Sequence, residues 1–304
     1  MTTALALATL PADRRTAAAL ALEARAPSTR RVYRSALARL ERFLDGRPLT
    51  DATLAEHVRA LAADGMAPAS IGQAAAAAAF LARVAGWPSP RGSMTADALR
   101  IARRDHADRG RGRARAITAE QVAEIIAIAR KEGRTKDAAI AGVLFQAALR
   151  RSEAAALEWR DIEPAADVPG AMLIRVRSKK TDQNGEETDI RLVKNGAAGA
   201  LAAIRPKDAA PTDKVFVTGT GRGRGGRAGL NAQSIGRRFT AAARAAGIEG
   251  VTAHSGRIGH ASELTARGAS TTEVMLSGGW KTARMVAHYA AGAKAKRGAV
   301  AKYL

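Results

Sequence analysis

The C-terminal third of the sequence carries four side chains that together could act on a phosphate ester. His254 and Arg257 are three residues apart, so at a helix start they share a face on which free backbone N–H groups also favour an anion. Trp280 has one N–H donor, and Tyr289 is one of only three tyrosines in 304 residues. Taken singly, each is more often a packing residue. In combination, they indicate a nucleophilic Tyr289 beside groups that bind a phosphate.

Three charged residues earlier in the chain could complete such a site. Arg150 and Glu153 lie where one predicted helix ends and the next begins. A planar guanidinium suits two phosphate oxygens, and Glu153 is spaced to orient it. Lys180 lies at a predicted hairpin turn, from which an ammonium group could protonate a leaving oxygen. The structural alternatives are a surface i,i+3 ion pair and a solvated turn.

The composition indicates a polyanionic partner. Lys and Arg number 49 against 28 Asp and Glu, which gives a net charge of +21. Nucleic acid is the first candidate and an anionic membrane surface the second. The sequence has no apolar run of about 18 residues, so no segment is expected to span a bilayer, and we expect a cytoplasmic protein. The absence of cysteine excludes disulfides, zinc–thiolate sites and cysteine nucleophiles, and only five histidines argue against a dedicated metal site.

The length predicts two domains that each bury a core. We expect a first helical domain over 1–107, with four helices preceded by an N-terminal segment that is either helical or a loosely held arm. Residues 108–117 are basic and interrupted by glycine, which indicates a linker, with a surface loop as the alternative. A second domain would cover 118–304 and end in a tail helix.

The second domain reads as helical at both ends with a small β region between them. The Asn184-Gly185 pair favours a hairpin turn. The predicted elements are helices over 118–131 and 136–148, strands over 172–176, 188–193 and 215–217, a Gly/Arg loop over 219–229, and helices from Asn231 onward.

The order Arg, Lys, His-x-x-Arg, Trp, Tyr resembles that of the tyrosine recombinase, or phage integrase, family. The resemblance covers the second domain well and extends to the first. It implies a mainly α fold, with an N-terminal helical core-binding (SAM-like) domain and an α+β tyrosine-recombinase catalytic domain that contains a small antiparallel sheet. Two residues depart from the majority pattern. Trp280 stands where many members have a second histidine, and Ile258 where many have a histidine directly after the second arginine.

The resemblance implies site-specific cleavage and rejoining of DNA strands through a covalent 3′-phosphotyrosine, with no metal or other cofactor. By this resemblance, Arg150 and Arg257 would be the two catalytic arginines, and Glu153 would be a supporting carboxylate. Lys180 would be the proton donor and His254 the base. Trp280 would be a neutral donor and Tyr289 the nucleophile. The implied partners are double-stranded DNA with an inverted-repeat site and further copies of the chain, joined as dimer and tetramer through the C-terminal tail. Candidate tail anchors are Val300, Tyr303 and Leu304.

Five further residues are candidate DNA contacts. Ser70 and Gln73 begin the third predicted helix and could reach bases or phosphates. Arg222, Arg224 and Arg227 lie in the Gly/Arg loop and could follow phosphates, although a solvated loop fits as well. Alternative functions are a type IB topoisomerase, a hairpin telomere resolvase and a non-catalytic architectural DNA-binding protein.

Overall fold

The computed structural model describes residues 12–109, 114–177, 189–219 and 228–295. The chain forms two compact units, Met1–Gly112 and Arg113–Leu304. The predicted fold class is confirmed, because helices predominate and the strands form a single small antiparallel sheet. Among the described helices, none is both long enough and apolar enough to cross a bilayer.

The first unit contains five helices among its described residues, one more than predicted. The additional helix lies in the N-terminal segment that the sequence left open. Proline occupies the first turn of α2 and of α4, where its missing N–H is not needed. The core consists mainly of alanine and leucine from α2 to α5. The helices are α1 (Ala12–Glu23), α2 (Pro27–Leu44), α3 (Asp51–Ala63), α4 (Pro68–Ala85) and α5 (Ser93–Asp105).

Asp51, the first residue of α3, also caps the start of α5. Its carboxylate accepts hydrogen bonds from the backbone N–H groups of Gly92, Met94 and Thr95 at 2.9 to 3.0 Å. Hydrogen bonds from the Thr95 side chain and backbone are the largest causes that lower the pKa of Asp51. One carboxylate therefore satisfies free donors of a helix that begins some forty residues later.

The second unit combines helices with the small sheet, and every predicted catalytic residue belongs to it. Its core joins apolar side chains of the helices to those of the strands. The described elements are α6 (Ala119–Lys131), α7 (Thr135–Phe145), α8 (Arg151–Ala156), β1 (Ile162–Pro164), β2 (Ala171–Val176), β3 (Asp189–Lys194), α9 (Gly196–Ile204), α10 (Ala232–Ala245), α11 (Ala253–Ala266), α12 (Thr271–Gly278), α13 (Ala283–Tyr289) and α14 (Ala291–Ala295).

The sheet corrects one predicted strand. Its order is β1-β2-β3, and Ile174 at the centre of β2 pairs with Ile162 on one side and Arg191 on the other. The sheet thus contains β1, which was not predicted, beside the two predicted strands β2 and β3. The segment 215–217, predicted as a strand, takes part only in an isolated bridge. Phe216 is buried in the core without belonging to a ladder. A short apolar run signals burial, and periodicity alone does not distinguish a strand from a buried loop.

The helix predicted over 136–148 ends earlier, at Phe145. Ala148 has a φ of 46°, which is incompatible with a continuing right-handed helix and is costly for a residue with a Cβ. This turn separates α7 from α8 and directs the carbonyl groups of Ala147 and Ala148 toward buried arginines.

Two glycines allow α11 to lie directly against other backbone segments. A Cβ on Gly256 would be 2.6 Å from the carbonyl oxygen of Leu144, and one on Gly259 would be 2.0 Å from that of Ile117. Both distances are shorter than any real Cβ contact. The glycines therefore fix how closely α11, with Arg257 between them, approaches the rest of the unit.

Candidate active site

Arg150 is held at the start of α8 by the carboxylate of Glu153. One oxygen of Glu153 accepts from Arg150 Nη1 at 2.5 Å, and the other accepts from the Arg150 backbone N–H at 2.8 Å. The Glu153 side chain is 2% exposed and that of Arg150 is 23% exposed. The carboxylate is thus a buried support, and part of the guanidinium remains open to a ligand.

Arg257 is buried on α11 with one nitrogen anchored and another without a partner. Its Nη1 donates to the carbonyl oxygen of Ala148 at 2.5 Å, and its guanidinium lies 4.3 Å from the ring centroid of Trp280. Among the described residues, no acceptor bonds its Nη2. A buried unpaired donor is costly in a folded protein, so this nitrogen is suited to a ligand oxygen.

The charge environment of Arg257 is strongly positive. Its pKa is lowered to about 9, first by burial and then by the charges of Arg150 and Arg191. Glu153 and Tyr289 act in the opposite direction. Arg257 therefore remains a cation at neutral pH, in a site where an added anion would relieve repulsion between like charges.

Tyr289 ends α13 and contacts two of the predicted site residues through its ring. The ring centroids of His254 and Trp280 lie 5.5 and 6.0 Å from that of Tyr289. The backbone oxygen of Tyr289 accepts from the Ser262 hydroxyl at 3.1 Å, which ties the end of α13 to α11. Trp280 is 4% exposed, and its Nε1 has no partner within the described part of the chain.

His254 occupies the first turn of α11, in surroundings that favour its neutral form. Although part of the residue reaches solvent, the protein atoms around its ring disfavour the charged form and lower its pKa below 6.5. The positive charges of Arg257 and Arg150 lower the pKa further. A neutral imidazole beside a phenol can accept the phenolic proton.

Arg191 on β3 belongs to the same network and was missed by the sequence analysis. Its side chain is 0% exposed, whereas that of the preceding Ile190 points to solvent. The strand therefore buries its charged residue and exposes its apolar neighbour, opposite to the usual alternation. The available signal was Asp189, which shares a strand face with Arg191 and accepts from its Nη2 at 3.1 Å.

His260 is a second buried group that the sequence analysis missed. It is 6% exposed, lies near Trp280 with ring centroids 5.9 Å apart, and shares a hydrogen bond of 2.8 Å with the hydroxyl of Ser277. Burial is the largest cause that lowers its pKa to about 4, so it is neutral at pH 7. Its spacing from Arg257, three residues along α11, could have indicated it.

Six of the seven predicted catalytic residues thus lie in one network of contacts and charges in the second unit. The seventh, Lys180, lies outside the described residues, as do Arg222, Arg224 and Arg227. Ser70 and Gln73 are exposed at the start of α4 in the first unit.

Comparison with known proteins gives a family match over most of the second unit. The model described as "Phage integrase family" matches residues 115–296, more than half of the chain. No curated protein sequence matches.

Three solved structures resemble the chain at low identity, so the likeness shows the fold alone. They are the XerH site-specific recombinase bound to palindromic difH substrate (13% identity, TM-score 0.67), a lambda integrase dimer bound to a COC′ core site (18%, 0.61) and the Tn1549 transposon integrase in complex with circular intermediate DNA (17%, 0.63). The matches cover 90%, 91% and 92% of this chain and 79%, 75% and 98% of the respective structures.

Proposed function

This chain belongs to the phage integrase family, and on that premise we propose that it is a site-specific DNA recombinase. It cleaves and rejoins DNA strands through a 3′-phosphotyrosine formed on Tyr289. The observation that carries the proposal is a pair of buried donors, Arg257 Nη2 and Trp280 Nε1, in one contact network with Tyr289; neither has an acceptor among the described residues.

In the cleavage step, the phenolic oxygen of Tyr289 attacks the phosphorus of the scissile phosphodiester. His254 accepts the phenolic proton, a P–O bond to Tyr289 forms, and the P–O5′ bond breaks. Arg150 and Arg257 bind the non-bridging oxygens and stabilise the charge that grows in the transition state, and Trp280 adds a neutral donor. We assign protonation of the leaving 5′ oxygen to Lys180.

In the rejoining step, the 5′ hydroxyl of a partner strand gives its proton to Lys180 and attacks the phosphotyrosine, the P–O bond to Tyr289 breaks, and His254 returns a proton to the phenolic oxygen. The number of phosphodiester-type bonds is unchanged at each step, so no nucleotide or metal cofactor is required by the reaction balance. The presence of Trp280 where many members have a histidine resembles the pattern of Cre recombinase, and we propose a site of that type. The family match does not favour the topoisomerase, telomere-resolvase or architectural alternatives.

The DNA partner is a duplex with an inverted-repeat site, and the reaction takes place in the cytoplasm, where prokaryotic DNA lies. Residues 1–107 bind the core of the site, 108–117 link the domains, and 118–304 carry out catalysis. Ser70 and Gln73, exposed at the start of α4, contact bases or phosphates. Arg222, Arg224 and Arg227 contact phosphates, so their removal should reduce the salt dependence of binding.

The C-terminal tail joins copies of the chain into dimers and tetramers on DNA. A cavity of about 550 Å³ lies between β3, α11 and α12 and is lined in part by Leu276 and Ile190. Their side chains are 72% and 56% exposed, which is unusual for large apolar residues that are close together. Val300, Tyr303 and Leu304 of a second copy supply apolar side chains to cover it. A chain truncated after Ala295 should bind DNA but give smaller complexes in light scattering.

The function is tested by selecting covalent adducts from a library of random DNA duplexes. Wild-type protein is incubated with the library, denatured, and the DNA that remains attached is sequenced. Recovery of one inverted-repeat motif, absent with Tyr289→Phe, supports the proposal. Relaxation of a supercoiled plasmid that lacks the motif would indicate a topoisomerase, and the absence of any adduct would indicate a non-catalytic protein.

A further inference from the structure

Arg191 is a buried cation of the network that is shielded from solvent and so is not placed to contact DNA. Its side chain is 0% exposed. Its guanidinium donates to the carbonyl oxygens of Ala147 and Ala148 at 3.0 and 3.3 Å and to Asp189 at 3.1 Å. The planar fork of an arginine spreads its donors over separate nitrogens, so that Nη1 reaches the two carbonyl groups and Nη2 reaches Asp189, whereas an ammonium group donates from a single nitrogen.

Two of the contacts of Arg191 are shared with the proposed phosphate-binding arginines. The carbonyl oxygen of Ala148 accepts from both Arg191 Nη1 and Arg257 Nη1. The carboxylate of Glu153, which holds Arg150, has its Oε2 at 3.6 Å from Arg191 Nη1. A single buried guanidinium thus connects the support of Arg150 to the anchor of Arg257.

The backbone turn at Ala148 links the contacts of Arg191 to the positions of Arg150 and Arg257. A φ of 46° is unfavourable for alanine and persists only where surrounding contacts impose it. The hydrogen bonds from Arg191 to two successive carbonyl groups are such contacts. Without them, the turn can relax, which moves the anchor of Arg257 and the start of α8 together.

Fold stability alone gives little reason for a cation at this position. Arg191 is one of the charges that lower the pKa of Arg257, so the two guanidinium groups repel each other. An ion pair in a protein interior is often no more stabilising than well-packed apolar residues of similar volume. The contacts of Arg191 are better explained by the geometry that they impose.

We propose that Arg191 is a positioning residue that fixes the guanidinium groups of Arg150 and Arg257 relative to each other, so that both bind the same phosphate. The inference rests on the recombinase function proposed above. It predicts that loosening Arg191 slows the covalent step on bound DNA, whereas affinity for DNA is retained because Arg191 itself is shielded from solvent.

The test measures single-turnover adduct formation on a nicked duplex that carries the motif recovered in the selection, as a function of protein concentration. Arg191→Lys keeps the charge but loses the fork. Its rate at saturation should fall about 10²-fold, as expected for a misplacement of about 1 Å in an active site. The protein concentration for half-saturation should stay within about twofold, because the contacts to bases and to phosphates other than the scissile one are unchanged. Arg175→Lys on β2 is the matched control, since Arg175 is exposed on the same sheet, and it should behave as wild type.

Asp189→Ala provides a second variant that keeps Arg191 but removes one of its acceptors. Its rate at saturation should fall about three- to tenfold, because one charge-assisted hydrogen bond is lost and two carbonyl contacts remain. If Arg191→Lys does not fold, the Asp189→Ala variant alone tests the positioning role of Arg191. Wild-type saturating rates in the folded variants, or a loss that appears only in half-saturation, would overturn the positioning role. An absence of adduct with wild-type protein would instead overturn the recombinase function itself.

Discussion

Replacing Gly256 with alanine should displace the helix that carries His254 and Arg257. The new Cβ would lie 2.6 Å from the carbonyl oxygen of Leu144, whereas ordinary contact begins at 3.4 Å. The two backbones must therefore separate by about 0.8 Å, the difference between those distances. Overpacking of a core costs about 1–3 kcal/mol. For a unit of this size, that corresponds to a decrease in Tm of roughly 2–12 °C.

The same displacement should also slow catalysis. A shift of about 1 Å in catalytic groups can lower a rate about 10²-fold, so adduct formation by Gly256→Ala should fall by about that factor at saturating protein. Gly199→Ala is the control. It lies in α9 of the same unit, its Cβ would be 3.8 Å from the nearest neighbour, and it should raise stability slightly. Thermal denaturation and single-turnover assays are performed on both. A Gly256→Ala protein as stable and as fast as Gly199→Ala would refute the reasoning.

Four further outcomes are expected. Arg150→Ala should slow adduct formation about 10²–10³-fold with most DNA affinity kept, and a matching loss of affinity in gel shifts would argue for a binding role alone. Trp280→Phe keeps a ring beside Arg257 but removes its N–H donor, so adduct formation should fall about 10²-fold; an unchanged rate excludes Nε1 as a ligand donor. The wild-type rate should decline as pH falls through the lowered pKa of His254, below 6.5, because only neutral imidazole accepts the phenolic proton; a decline centred above 6.5 would contradict this. Asp51→Ala should lower the Tm of the first unit at neutral pH. Because the pKa of Asp51 is lowered in the folded protein, its contribution to the free energy of unfolding is complete above pH 3.8, the ordinary pKa of the group. That contribution is lost as pH falls through the lowered, folded-state pKa, so the difference in Tm between wild type and variant should shrink in acid. A difference that does not change with pH would contradict the assignment.

Local signals in the sequence predicted several helix boundaries of the fold. Thr118 and Gln121 form the expected capping box, in which each side chain accepts from the backbone N–H of the other at 3.2 Å. A proline in the first turn is another local signal, and it marks the starts of α2 and α4. These features depend on neighbours within one turn, so the sequence contains the information directly.

The fold features that the sequence did not predict depend on tertiary contacts. The strand at 162–164 is three residues long and exists because β2 lies beside it, whereas Phe216 follows an apolar pattern without joining the sheet. The early end of α7 depends on the turn at Ala148, whose carbonyl accepts from arginines more than forty residues away. No local pattern encodes partners at such separations.

In the candidate site, too, some residues could be predicted from the sequence and others could not. The types and order of the six described residues were visible in the sequence, because residue type and spacing along the chain define that pattern. Arg191 was not, since alternation along β3 assigns Ile190 to the interior and Arg191 to solvent, the reverse of the observed burial. The acceptors supplied by Ala147, Ala148 and Asp189, together with the nearby carboxylate of Glu153, compensate the burial of the guanidinium.

The most direct test of the central claim is mass spectrometry of the peptide that carries DNA after denaturation of a cleavage reaction. We predict a single modified peptide in which a nucleotide is attached through its 3′ phosphate to the phenolic oxygen of Tyr289. Tyr33→Phe, which alters a tyrosine packed against Phe80 in the first unit, should give the same adduct. A nucleotide attached to another residue, or an adduct that survives in Tyr289→Phe, would contradict the claim.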